Sequence, residues 1–122
     1  MNIHESGEDY LETILMLCKQ HGSARSVDIA AHLGVTKPSV SFAMKKLREN
    51  GYILMGDDSR ITLTETGEAI ACRVLERHNL LCAMLMRLGV SEETARADAC
   101  KIEHDLSDET FEAIRNHLAT FR

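Results

Sequence analysis

Residues 26–64, SVDIAAHLGVTKPSVSFAMKKLRENGYILMGDDSRITLT, decide the fold. Two short runs with helical period are joined by Leu33-Gly34-Val35-Thr36, and two β-rich stretches follow at once. In the first run Ser26 caps a helix over 27–33, with Val27, Ile29, Ala30 and Leu33 facing inward and Gly34 as the stop. Thr36 caps the second helix. Pro38 sits in its first turn, where a missing N–H is tolerated, and Asn50-Gly51 ends it. Val40, Ala43, Met44 and Leu47 form its core stripe. The runs 52–55 and 61–64 flank Gly56-Asp57-Asp58-Ser59 and read as a hairpin. Two helices, a tight turn and an immediate hairpin are the order of a winged helix-turn-helix.

Upstream, Leu11, Ile14, Leu15, Leu17 and Cys18 mark one more helix over 8–18, ended by His21-Gly22-Ser23. Downstream, a long helix over 65–88 stops at Gly89. Ser91-Glu92-Glu93 starts a helix to about 105, and Ser107-Asp108-Glu109 another to about 119. The fold class is therefore mainly α with a small β-hairpin wing. A winged helix-turn-helix over 1–70 is followed by an all-helical region over 71–122. That region is more apolar than one small core needs: Leu75, Leu80, Leu81, Met84, Leu85 and Leu88, then Ile102, Leu106, Phe111, Ile114, Leu118 and Phe121. The surplus predicts a homodimer.

The 122 residues are 44% apolar and 27% charged, with one Pro and seven Gly, which excludes a disordered chain. No apolar run approaches the roughly 18–20 residues of a membrane span, so no membrane partner is expected. Residues 1–10, MNIHESGEDY, lack the basic start and apolar core of a secretion signal. Cys18, Cys72, Cys82 and Cys100 form neither a CxxC pair nor a disulfide framework. The expectation is a cytoplasmic protein with reduced, buried thiols. The net charge of −5 is uneven: residues 1–20 carry −3, residues 21–64 carry +2 and residues 65–122 carry −4. The basic middle coincides with the helix-turn-helix and the hairpin, which is where a nucleic-acid surface is to be sought.

The outer face of the third helix offers Lys37, Ser39, Ser41, Phe42, Lys45, Lys46 and Arg48. Short hydroxyls at a helix start, then Lys and Arg further along, suit phosphate anchoring and entry into a DNA major groove. The candidate DNA-binding residues are Arg25, Thr36, Lys37, Pro38, Ser39, Ser41, Phe42, Lys45 and Lys46, with Arg60 of the wing against a neighbouring phosphate. A merely solvated basic face is the bland reading; the turn spacing together with the wing favours DNA. No Arg, Asn or Gln lies between Lys37 and Lys46 to make bidentate base contacts. Readout is therefore expected from Pro38, Val40 or Phe42 touching thymine methyls, and from DNA shape.

A second set of residues has metal-ligand chemistry at helical spacing. Cys100, Glu103 and His104 stand at i, i+3 and i+4 and share one helix face. Asp9 and Glu12 are an i, i+3 carboxylate pair on the first helix, and His78 lies on the long fourth helix between Arg77 and Asn79. If those three helices meet, carboxylates, imidazole and thiolate converge, and a divalent cation would turn their repulsion into a clamp. Singly, each has a plainer reading: first-turn acids favoured by the helix dipole, a satisfied histidine, an exposed polar pair, a small core cysteine.

Glu8-Asp9-Tyr10-Leu11-Glu12, the helix-turn-helix and wing, Arg77-His78, and Cys100-Lys101-Ile102-Glu103-His104-Asp105-Leu106-Ser107 follow one another over nearly the whole chain. In this order and spacing the chain resembles the diphtheria-toxin-repressor family, in its short manganese-regulator branch. The C-x-x-E-H-x-x-S segment is the most specific part of the match. The resemblance implies a dimeric, metal-activated transcriptional repressor of metal-ion homeostasis that binds double-stranded DNA at a palindromic operator. It implies Asp9, Glu12, His78, Cys100, Glu103 and His104 as metal ligands. The manganese branch normally has Glu where this chain has Cys100. The iron-responsive branch carries Cys there, but Met in place of Asp9. Cys82 and Arg96 occupy the positions of that branch's secondary site, which implies that this site is absent.

The pocket so implied is a hybrid. Oxygen donors suit Mn(II), whereas a thiolate draws toward Fe(II), Co(II) or Zn(II). Mn(II) or Fe(II) is the expected cofactor, with Co(II) or Zn(II) binding in vitro, and Cys100 adds an oxidation-sensitive position. Metal joining the first helix to the dimerisation helices would set two recognition helices about one DNA turn apart, roughly 34 Å. Three other readings use the same residues: a metal-independent winged-helix regulator, a metalloenzyme and a protein-interaction module. No further base or nucleophile accompanies the cluster, so neither an enzyme nor a small-molecule substrate is expected.

Overall fold

In the computed structural model these periodicities become six helices and one antiparallel hairpin among the described residues, which are 5–120, with side chains from residue 7 onward. In chain order they are α1 (Glu5–His21), α2 (Ser26–Leu33), α3 (Lys37–Glu49), β1 (Ile53–Met55), β2 (Ile61–Leu63), α4 (Glu65–Arg87), α5 (Glu92–Ile102) and α6 (Asp108–Thr120). The chain divides into two compact units, Met1–Cys72 and Arg73–Arg122, and the division falls within α4. No helix among the described residues is long and apolar enough to cross a membrane.

In the first unit, α1 buries Tyr10, Leu11, Ile14 and Leu15, one helix face, and packs on α2, α3 and β2. It is longer than the expected 8–18. At its C-terminal end the ladder continues until Gly22, whose N–H still bonds Cys18 O at 2.8 Å and whose φ of 86° turns the chain away. Helix α2 begins one residue before the expected start, because Arg25 rather than Ser26 occupies the cap, without a side-chain bond. Arg25 is extended, next to Ala24, which pairs with Ile61 through two backbone bonds of 2.9 and 2.7 Å. Ile29 and Ala30 are buried and Leu33 half-buried, but Val27 is 50% exposed. At 100° per residue it stands roughly 110° from the centre of that arc, so the expectation of an inward Val27 fails.

Thr36 caps α3 as expected, its Oγ1 accepting from Ser39 N at 3.3 Å, and Val40, Met44 and Leu47 are buried at i, i+4 and i+7. Gly51, at φ 80°, hands the chain to β1. The hairpin pairs Ile53 with Leu63, Leu54 with Thr62 and Met55 with Ile61. Thr64 then starts α4: its Oγ1 accepts from Gly67 N at 3.1 Å and donates to Gly51 O at 2.7 Å. A Cβ at Gly67 would stand 2.0 Å from Tyr52 O, so only glycine lets α4 approach the residue that enters β1.

In the second unit, Leu81 and Cys82 of α4 meet Ala95 and Ala99 of α5, with Leu85, Ile102, Leu106 and Ile114 packed around them. Ser91 caps α5. Helix α5 ends at Ile102, short of the expected 105, so Glu103 is its cap and His104 and Asp105 lie in a turn. Phe111, expected in the apolar surplus, is 4% exposed and lies against the Arg77 and Arg115 guanidiniums, each 5.0 Å from its ring centre. That aromatic surface is used within the chain. Met86 and Leu88 remain exposed, and Phe121 lies outside the described residues.

Candidate nucleic-acid interface and candidate metal centre

Burial of Val40, Met44 and Leu47 leaves the opposite side of α3 to solvent. Lys37, Ser41, Lys45 and Arg48 line up along it, with Ser39, Phe42 and Lys46 beside them, all exposed. The Lys46 ammonium stands 4.7 Å over the Phe42 ring, and the ring is 62% exposed. Thr36 and Pro38 are exposed at the helix start, and Arg25 is exposed ahead of α2. Arg60 is exposed in the wing but already engaged, its Nε 3.2 Å from Asp58 Oδ2. A phosphate there competes with Asp58. Val40 is fully buried, which removes it from the expected base-reading set. The structure adds residues that the sequence reading did not place on this surface. A groove of about 350 Å³ beside α3 is lined by Ser26, Ser41, Lys45, Arg48, Met55 and Ser59. Ser26 and Ser59 are far apart in sequence, and only the folded unit brings them to one groove.

The second unit gathers four of the proposed ligands. His78 Nδ1 is 3.0 Å from Glu103 Oε2, and Cys100 Sγ is 3.6 Å from the same nitrogen. One ligand atom each from His78, Cys100 and Glu103 fall within 4.8 Å of one another. His104 Nε2 is 3.4 Å from Glu103 Oε1. Glu103 is 2% exposed, and its Oε1, although 3.4 Å from His104 Nε2, completes no hydrogen bond among the described residues. A buried carboxylate without full compensation is costly, and a cation is the natural remedy. Nitrogen, sulfur and oxygen donors at this spacing fit a divalent first-row metal. Cys100 is itself exposed, as is Cys72, so the expectation of four buried thiols holds for neither; none of the four cysteines is in a disulfide. Asp9 and Glu12 lie one turn apart on α1 in the first unit, both half-buried.

Two family models match the chain. "Iron dependent repressor, N-terminal DNA binding domain" covers residues 2–59, and "Iron dependent repressor, metal binding and dimerisation domain" covers residues 64–122. The transcriptional regulator MntR of Escherichia coli O6:H1 is 44% identical over 108 residues, which is 88% of this chain and 70% of that protein. Among solved structures, T. acidophilum IdeR matches with a TM-score of 0.84 at 27% identity over 98% of this chain. A manganese-dependent transcriptional repressor in complex with manganese matches with a TM-score of 0.83 at 28% identity over 93% of it. The chain spans about half the length of these two proteins, 55% and 52%.

Proposed function

The chain belongs to the iron-dependent repressor family, the one its motifs resemble, and on that premise we propose that it represses metal-homeostasis genes by binding a palindromic operator when loaded with Mn(II) or Fe(II). Members of the family combine an N-terminal DNA-binding domain with a C-terminal metal-binding and dimerisation domain, and this chain matches both. The observation that carries the metal reading is the buried Glu103 carboxylate, with its unsatisfied Oε1, beside His78, Cys100 and His104. These four residues would hold the metal, with Asp9 and Glu12 completing the set as the family resemblance implies. The bound ion supplies positive charge to a group of donors that otherwise face one another. The Cys100 thiolate extends the metals accepted to Co(II) and Zn(II) in vitro.

For DNA, the proposed contacts are Arg25, Thr36, Lys37, Pro38, Ser39, Ser41, Phe42, Lys45, Lys46 and Arg60. A homodimer presents two such faces to half-sites roughly 34 Å apart. A coupling of about 1–3 kcal/mol between metal and DNA is the usual scale for such a switch. The protein acts in the cytoplasm, on DNA rather than on a small-molecule substrate, and catalyses no reaction. The test is fluorescence anisotropy on palindromic operator DNA, first in excess chelator and then with Mn(II), Fe(II), Co(II) or Zn(II) added anaerobically. Binding is expected only with metal and is expected to vanish in Glu103→Ala and His104→Ala. Binding of equal strength in chelator would sink the metal switch and leave a metal-independent regulator.

A further inference from the structure

Helix α5 ends before two of the proposed ligands begin. Glu103 is its cap residue, its N–H still bonded to Ala99 O at 3.0 Å, and His104 lies in the following turn, so the helix ladder reaches the Glu103 amide but not the backbone beyond it. Something else must fix that backbone, and Arg77 is placed to do it. Its guanidinium donates from Nη1 to the main-chain carbonyls of Glu103, at 3.3 Å, and Leu106, at 2.8 Å. Its Nη2 bonds Asp108 Oδ1 at the start of α6. The residue is 8% exposed, and its Nε has no hydrogen-bond partner among the described residues. An arginine held in this way is an expensive means of filling space, since an apolar side chain would pack on Phe111 without desolvating a charge.

The neighbour of Arg77 in the chain explains the choice. His78 Nδ1 meets the Glu103 carboxylate at 3.0 Å while Arg77 meets the Glu103 carbonyl. Two consecutive residues of α4 thus grip Glu103 by both ends, main chain and side chain. Resting on the metal reading above, we propose that Arg77 is a positioning residue of the metal centre. It presets the 103–106 backbone so that the Glu103 and His104 side chains start from fixed points, and it touches no metal itself. Outer partners that orient ligands commonly contribute 10- to 100-fold in metal affinity. Lysine cannot replace it fully, because one ammonium lacks the planar fork that reaches two carbonyls and a carboxylate together.

The experiment uses the full chain with three substitutions: Arg77→Met, Arg77→Lys, and Ile114→Ala, which weakens the same helical core but leaves the Arg77 hydrogen bonds to Glu103, Leu106 and Asp108 in place. Two quantities are measured: Co(II) affinity by chelator competition, and amide hydrogen exchange of residues 103–106 in metal-free protein. Arg77→Met is expected to lose about 10- to 100-fold in Co(II) affinity and to exchange faster at 103–106. Arg77→Lys should fall between it and the parent, and Ile114→Ala should keep parental affinity despite its lower stability. Should Arg77→Met prove unfolded by circular dichroism, Arg77→Lys against Ile114→Ala decides. Parental affinity in the Arg77 variants, or an equal loss in Ile114→Ala, overturns the positioning role. Failure of the parent protein to bind Co(II) is a different outcome: it refutes the metal centre, and the proposal falls with it.

Discussion

Phe42 is the residue on α3 whose environment is least explained by folding. Its ring is 62% exposed and carries the Lys46 ammonium at 4.7 Å, so the pair gains a cation–π contact and narrows the rotamers of Lys46 before any DNA arrives. Phe42→Ala is expected to weaken operator binding about 10-fold, the scale of one good base contact, while leaving the thermal midpoint unchanged. Anisotropy and a melting curve check the two halves; a lower midpoint with intact binding would assign Phe42 to stability. Cys18 makes the opposite case. Burial, and then the nearby Glu68 charge, push its thiol pKa up, and its Sγ faces Ile61 O at 3.7 Å. Burial pushes the Tyr10 hydroxyl up as well. Both groups hold their protons longer folded than unfolded, so this stability is complete below the ordinary thiol range. It is lost as pH rises through the raised folded value. Urea unfolding is expected to show stability falling in mild alkali, with a shallower fall in Cys18→Ala.

At the level of elements, the junction of β1 with α4 depends on one missing side chain. The backbone of Tyr52 lies where a Gly67 Cβ would be, at 2.0 Å, while Thr64 ties the start of α4 to Gly51. Gly67→Ala therefore forces a methyl group against the Tyr52 backbone, where no rotamer can relieve the contact. A loss of about 3 kcal/mol, the upper part of the usual overpacking range, is expected in urea unfolding. The reverse change, Ala69→Gly, on the same helix at an exposed position, should lose only about 1 kcal/mol, the helix-propensity difference. Equal losses in the two variants would show that the close approach does not matter. Helix α5 shows the same dependence on tertiary context. Cys100, Glu103 and His104 keep the i, i+3, i+4 relation in the sequence, yet the helix stops at Ile102, with Glu103 N still bonded to Ala99 O, and beyond it Arg77 bonds the carbonyls of Glu103 and Leu106.

For the whole molecule, the charge distribution makes a prediction independent of any base contact. Residues 21–64 carry +2 in a chain of −5, and Lys45 and Arg48 line the groove beside α3. If Lys45 meets a phosphate, Lys45→Ala should lower the slope of log affinity against log salt by about 1 per protomer and weaken all sequences alike. An unchanged slope would remove Lys45 from the interface. Much of the winged helix was legible beforehand because its signals are local: the Thr36 cap, the Gly34 stop, the hairpin turn and the 3.6-residue spacing of Val40, Met44 and Leu47 each act within a few residues. The candidate ligands were legible as residue types at helical spacing, and their family through the order of the motifs. Local pattern could not say that Phe111 is taken up by Arg77 and Arg115, or that Gly67 must be glycine. It also could not say that Ser26 and Ser59 share a groove, or that Arg77 turns inward to grip the Glu103 carbonyl. Helix and turn preferences are set by neighbours in the chain, whereas burial, close approach and hydrogen bonds between distant residues exist only once the elements pack, and those were decided by the tertiary structure alone.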